Sequence, residues 1–448
     1  MTVAWPRSVG GKILALILAL VFLLILISLA SWLWLRSSEP NIEDPPPAPL
    51  RILSQPIPDG PNADLLRRGR YLSIVSDCAS CHTRGGGRPF EGGLGLKTPF
   101  GIIYSANITG NPSAGIGDWT PAQFYGALHD GKDDEGHLLY PAMPYTHFDM
   151  IPRADSDAIL AYLKTVPGSS YAPPANRLPF PLNIRLAMLG WNALNFRPHP
   201  FKPDPSKSAT WNRGAYLVQG PEHCGACHTP KNLLQAEQQD QALHGSAIED
   251  WFAPDLTGNP RTGLGRWSAA DVVEYLKSGR NSHSNSAGLM SEVVAYSTSL
   301  LSDADLAAIA TYLKSLPASP DTAAGTPDAA AMRTGSAIFF DECTACHLVA
   351  GKGQSGMFPP LPGSAVAQQR DPTGLIHLIL GGARTAPTAS KPTFQSMPSF
   401  AWKLSDQQVA DVATYVRNSW GNKAPPVSAH QVASVRSSLQ LRKRESAR

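Results

Sequence analysis

The 448-residue chain has no cysteine outside three copies of one pentapeptide, so no thiol is left over to build a site elsewhere. It has no Gly-x-Gly-x-x-Gly following a strand, no nucleophile elbow and no metalloprotease helix, which removes dinucleotide, serine-hydrolase and zinc-protease chemistry from consideration. The body also lacks a surplus of charge. The formal net charge of +3 is confined to residues 436–448, where Arg436, Arg442, Lys443, Arg444 and Arg448 face Glu445 alone, and the remainder carries −1. Proteins that bind nucleic acid spread basic charge over their folded domains, so nucleic acid is excluded as a partner. A large regular sheet is disfavoured as well, because 41 prolines and 38 glycines call for many irregular connections.

What is present is Cys78-Ala-Ser-Cys81-His82, repeated as Cys224-Gly-Ala-Cys227-His228 and as Cys343-Thr-Ala-Cys346-His347. Two thiols at i and i+3 lie on one side of a helical turn and can form thioethers with the two vinyl edges of a porphyrin, and the histidine that follows reaches the iron. One copy alone would serve equally as a redox dithiol or half of a zinc site. Three copies, 146 and 119 residues apart, cannot converge into tetrahedral sets. The pattern predicts three covalent c-type haems, held by Cys78, Cys81, Cys224, Cys227, Cys343 and Cys346, with His82, His228 and His347 on the irons. At about 100 residues per domain the length accommodates three such units with connectors.

Residues 1–36 contain an uncharged run of 23, Ile13 to Leu35, long enough at about 1.5 Å per residue to cross a hydrocarbon core of about 30 Å. Trp32 and Trp34 sit at its far end like an interfacial belt, and Arg7 and Lys12 ahead of it favour the N-terminus inside and the body outside. The competing reading is a cleaved signal peptide, with Ser28-Leu29-Ala30 as the cleavage site. Both readings export the body, which agrees with the attachment of c-type haem outside the bacterial cytoplasmic membrane. Residues 37–61, with Pro45-Pro46-Pro47 and Pro49, form a proline-rich spacer expected to hold the body off the bilayer.

Three repeats follow, at 62–170, 208–318 and 319–423, with a connector at 171–207 and a basic tail at 424–448. Each begins with a helical stripe carrying one glycine, Gly69, Gly214 or Gly335, eight to ten residues before its first cysteine. Each closes on a helix bearing a tyrosine, Tyr162, Tyr312 or Tyr415, two of these helices being opened by the N-caps Ser302 and Ser405. Glycine costs a helix up to about 1 kcal/mol, so its recurrence implies a close helix approach, and the tyrosines are expected to cross over the glycines. Repeats one and two share a further register at an offset of 148: Asn107 to Pro112 answers Asp255 to Pro260, and Gly115 to Trp119 answers Gly263 to Trp267. Trp119 and Trp267 either donate to a haem propionate or stack at the ring edge. The third repeat diverges here. By its resemblance to class I cytochromes c, a backbone carbonyl near Pro359 or Pro360 is expected to accept the N–H of His347.

A thioether opposite the histidine would close each iron, and Met143, Met290 and Met397 stand 65, 66 and 54 residues after the first cysteine of their repeats. Met143 and Met397 are followed by proline, whereas Met290 rests on its spacing. Met150 and Met357 are the nearest decoys, one seven residues late and the other too close to His347.

The helix pair around each Cys-x-x-Cys-His loop resembles the class I cytochrome c fold, so the fold class expected is mainly α, three tandem cytochrome c domains behind one N-terminal transmembrane helix. From about Arg67 to Asn422 the chain is similar to the three-haem cytochrome c subunit of membrane-bound bacterial dehydrogenases for alcohols, aldehydes, sugars and sugar acids. Phe180 to Arg185 with Trp191-Asn192, Cys224 to Pro230, Leu300 to Pro317 and Met397 to Trp402 carry the likeness. It implies a separate catalytic subunit using pyrroloquinoline quinone (PQQ), flavin or molybdopterin, with electrons passing through the haems to ubiquinone at the periplasmic face of the inner membrane. A long N-terminal anchor departs from many relatives. The tail is then expected either to be disordered or to lie on anionic membrane lipid, with Val432, Val435 and Leu439 on one face. Two rivals remain: a multihaem peroxidase, which would leave one iron open at Met290, and a haem-bearing subunit of a terminal oxidase, usually built with two haems.

Overall fold

The computed structural model of the protein describes residues 9–37, 50–321 and 324–445. Arg7, the prolines of the spacer up to Pro49, and Arg448 lie outside the described residues. The chain opens on a helix, Val9–Ser37, whose segment Lys12–Leu33 is long and apolar enough to cross a membrane, with a mean hydropathy of 3.3 and no residue buried against the body over that window.

Three helix pairs organise the rest. Ala63–Val75 packs on Arg153–Leu163, Ala209–Gln219 on Asp303–Ser315, and Ala329–Glu342 on Asp406–Asn418. Side-chain oxygens fix where most of these helices begin. Ser208, Ser302 and Asp328 accept first-turn amides, and Ser405 forms a capping box with Gln408. The expected glycine crossings are present in all three pairs. A Cβ on Gly69 would strike the Ala158 carbonyl and come within 2.9 Å of the Tyr162 Cβ; on Gly214 it would strike the Ala308 carbonyl and Tyr312 Cβ at 2.9 Å; on Gly335 it would strike the Asp411 carbonyl and Tyr415 Cβ at 2.7 Å. Only glycine permits backbones to approach so closely. Among the described residues, sheet is limited to three two-stranded hairpins, at residues 95–104, 246–253 and 383–397.

The packing divides unevenly. Residues of the first two repeats, among them Leu72, Ile159, Leu217, Leu306 and Ile309, form one continuous core. The third has its own, around Phe339, Ile376, Val409 and Val412. A small cluster of Leu138, Tyr140, Leu178 and Met188 joins the connector to the first repeat.

Two expectations are corrected. The spacer does not stand free over its described part: Leu53 is 4% exposed, Leu50, Ile52 and Ile57 pack beside it on the shared core, and Tyr162 donates to the Ile52 carbonyl at 3.3 Å. Apolar side chains placed among the prolines give this segment something to bury. Over its described residues the tail is neither disordered nor laid with its apolar stripe on lipid. It forms a helix, Ala429–Glu445, whose Val432, Val435 and Leu439 close the third core, while Arg436 pairs with Asp406 at 2.6 Å and donates to the Ala401 and Leu404 carbonyls.

Candidate functional site

Each opening helix runs directly into a Cys-x-x-Cys-His turn. In the first two repeats the turn is entered through a left-handed residue, Asp77 at φ 46° and His223 at φ 38°, and the turns are Cys78–His82 and Cys224–His228. In the third, Cys343 is right-handed and the left-handed residue comes after the histidine, at Leu348. None of the six cysteines is paired in a disulfide, and all six are partly buried. Burial pushes the Cys78 thiol up to about 12 and the Cys227 and Cys343 thiols up to about 11, opposite to the lowered value of a reactive dithiol. Among the described residues no three of His, Cys, Asp or Glu converge in a way that could hold a metal ion.

The three histidines are oriented alike. His82 Nδ1 donates to the Ala106 carbonyl at 2.7 Å, His228 Nδ1 to the Pro254 carbonyl at 2.6 Å, and His347 Nδ1 to the Pro359 carbonyl at 3.2 Å. Burial holds each imidazole below its ordinary pKa and therefore neutral. A neutral ring with its proton on Nδ1 presents the lone pair of Nε2, which is what an iron ligand requires. The Pro359 carbonyl is one of the two expected from sequence. Ala106 and Pro254 were not foreseen, although the 148-residue register places them one position before Asn107 and Asp255. Those two residues hold the carbonyl-bearing loops: Asn107 donates to the Ser169 and Tyr171 carbonyls at 2.9 and 3.0 Å, and Asp255 accepts from the Thr257 amide at 2.7 Å and from Ser319.

Met143, Met290 and Met397 are all half-buried, each in the segment leading to its closing helix. Met143 packs on the shared core together with Cys78 and Cys224, and Met397 packs on the third core together with Cys343. Met290 is the second residue of the helix Leu289–Tyr296, which packs against the first Cys-x-x-Cys-His turn as well as against Ala269–Ser278 and Thr298–Leu300 of its own repeat. The decoys part company: Met150 is core at 8% exposed, and Met357 is 46% exposed. Trp119 and Trp267 both lean on the shared core, Trp267 also stacking on His283 at 5.3 Å.

One pair escaped the sequence reading. His147, four residues past Met143, donates from Nδ1 to the Gln219 carbonyl at 2.6 Å and from Nε2 to Glu237 at 2.7 Å. Burial opposes its charge, but the hydrogen bond and charge of Glu237 and the Gln219 carbonyl outweigh burial and raise its pKa. A Cβ on Gly225, inside the second turn, would lie 3.1 Å from this ring. The methionine segment of repeat one thus leans on the turn of repeat two, and the methionine helix of repeat two leans on the turn of repeat one. Cys81 and Cys227 line the same cleft, of about 2170 Å³.

Three Cys-x-x-Cys-His turns with ligand-ready histidines, set between glycine-crossed helices, define a c-type cytochrome. The cytochrome c family model matches residues 212–317 and 332–420. Over 405 residues the chain is 40% identical to the gluconate 2-dehydrogenase cytochrome c subunit of Pantoea cypripedii, covering 84% of this chain and 91% of that one. It is 41% identical over 397 residues to the cytochrome c subunit of alcohol dehydrogenase (quinone) of Gluconobacter oxydans (83% and 82%), and 37% identical over 413 residues to the fructose dehydrogenase cytochrome subunit of Gluconobacter japonicus (86% and 85%). The chain belongs to this family of dehydrogenase cytochrome c subunits, carriers of covalent haem c that transfer electrons and are not themselves the catalytic subunits.

Proposed function

We propose that the chain carries three haems, one in each of the repeats 62–170, 208–318 and 319–423, and passes electrons from the catalytic subunit of a periplasmic dehydrogenase to ubiquinone in the inner membrane. A bound c-type haem supplies one-electron exchange. The six cysteines would hold the porphyrins, His82, His228 and His347 would offer Nε2 to the irons, and Met143, Met290 and Met397 would supply the thioether ligands. The observation that carries the reading is the threefold repetition of the histidine hydrogen bond to a backbone carbonyl, because it fixes the same tautomer at every turn. Dehydrogenase relatives, one of them named for quinone, support the donor and the acceptor. The span Lys12–Leu33 supports the membrane location.

The test is intact mass of the denatured, matured protein, expected to show three covalent haems and no free thiol, followed by reconstitution with the catalytic subunit. Ubiquinone reduction should require this chain, while dye reduction by the catalytic subunit should not. Fewer haems, or substrate oxidation coupled to quinone without this chain, would overturn the reading. Carbon monoxide binding to the reduced wild type together with peroxide turnover would instead favour an open iron at Met290 and a peroxidase.

A further inference from the structure

The connector has an outer face that its sequence leaves uncovered. Leu186, Leu189 and Leu194 are 69%, 55% and 76% exposed, at the spacing of one helical stripe, and Gly190 and Ala193 between them are exposed too. The opposite face of the same helix, Met188–Asn195, buries Met188 and leans Trp191 into the cluster of Leu138, Tyr140 and Leu178. Trp191 Nε1 donates to the Leu234 carbonyl at 2.8 Å, which ties in a second exposed apolar element, Leu233 at 93% and Leu234 at 47%. Exposed apolar side chains in this number on neighbouring elements mark a surface that a partner covers.

Its position names the partner. The Phe180 amide donates to Ser31 Oγ at 3.2 Å, and Ser31 lies at the far end of the span Lys12–Leu33. The connector therefore passes, at Phe180, the level where that helix leaves hydrocarbon. Charge agrees with a lipid surface: no Asp or Glu occurs between Asp157 and Asp204, while Lys164, Arg177, Arg185, Arg197 and Lys202 fall in that stretch. The geometry points to a second membrane contact, in which the face of Leu186, Leu189 and Leu194 with Leu233 and Leu234 rests in the headgroup and acyl boundary beside the anchor. The inference rests on the reading of Lys12–Leu33 as a span. It implies that the body is held flat against the bilayer instead of swinging on one tether.

The test uses the full haem-loaded chain with a protease site placed in residues 38–49, reconstituted into vesicles of phosphatidylethanolamine and phosphatidylglycerol. After cleavage the wild-type body should stay on the vesicles in high salt, and a variant carrying Leu186→Ser, Leu189→Ser and Leu194→Ser should leave with a partition coefficient lowered by about tenfold or more. A phospholipid with a photoreactive acyl chain should label residues 184–194 as well as the span, both in the chain alone and with the catalytic subunit bound. If the cleaved wild-type body leaves, or if the catalytic subunit removes the lipid labelling of 184–194, the second contact is overturned and the anchor stands. If the uncleaved chain itself fails to stay in the bilayer, the anchor reading is lost with it.

Discussion

The first two repeats and the third are built on the same crossed helices but joined by different means. Repeats one and two share a hydrophobic core, and Tyr71 of repeat one donates at 2.6 Å to Asp305 of repeat two, a carboxylate that Arg213 of the same repeat grips at 2.7 and 2.8 Å; Arg68 pairs with Asp155 within repeat one. The third repeat meets the second through hydrogen bonds to backbone carbonyls, such as Gln369 to Thr262 at 2.6 Å and Arg280 to Thr393 at 3.1 Å, and through Trp251 stacked on His377 at 3.7 Å. A shared core makes two repeats one folding unit; a polar seam between separate cores leaves the third a module. The offset of 148, kept by repeats one and two and lost by the third, is the sequence trace of that difference.

The sharpest way to break the comparison is at the crossings. Gly214→Val would drive a side chain into the Ala308 carbonyl and cost about 3 kcal/mol or more, since neither helix can yield without losing its core. Because that core is shared, the variant should lose repeats one and two together, leaving a protease-resistant fragment that carries one haem. Gly335→Val should lose the third alone and leave a two-haem fragment. Limited proteolysis followed by mass of the haem peptides separates these outcomes, and equal damage from both variants would show that all three repeats fold as one.

The crossings were legible from sequence because few features other than close approach explain a glycine kept in a helix. The turns were legible because the spacing of their cysteines and histidine fixes them locally, and the Pro359 carbonyl was legible only through the resemblance to class I cytochromes c. The fusion of repeats one and two was not, since Tyr71 and Asp305 are 234 residues apart and each reads as an ordinary helix surface. Nor was the fate of the last helix. Periodicity shows that Val432, Val435 and Leu439 share a face, but not whether lipid or the third core covers it.

A smaller effect is expected at the charged contacts. Burial alone would raise the Asp305 carboxyl, but hydrogen bonds from Arg213 and Tyr71 outweigh it and hold the group below the usual range. Asp305→Asn removes the partner of both. Arg213 keeps 37% of its side chain in solvent, so the loss is about 1–3 kcal/mol rather than that of a fully buried pair. Asp155→Asn should cost about 1 kcal/mol or less, because Arg68 is 61% exposed and no tyrosine of the other repeat donates there: Tyr216 Oη has no hydrogen-bond partner and its ring meets Phe201 from the connector at 5.4 Å. Scanning calorimetry should show the transition of repeats one and two shifting in that order while the third holds still.

The smallest effect is the pH dependence of the same junction, set by His147 and Glu237. The His147 pKa is raised above its ordinary value of 6.5, so its contribution is complete below 6.5 and is lost as pH rises through the raised value. Glu237 is held below its ordinary value of 4.5: burial would raise it, but the hydrogen bond and charge of His147, with Lys231 nearby, overcome that, so its contribution is complete above 4.5 and is lost as pH falls through the depressed value. Repeats one and two should therefore be most firmly joined between 4.5 and 6.5 and loosen on the alkaline side first. The third repeat, whose seam with the second has no such pair among the contacts described above, should keep its stability over the same alkaline range. His147→Gln keeps a donor for Glu237 without the charge, so it should lower stability modestly and flatten the alkaline slope in thermal melts followed at the haem absorption of each repeat. A slope that survives the substitution would place the titrating group elsewhere in the junction, and a matching slope in the third repeat would remove the distinction between a fused pair and an added module.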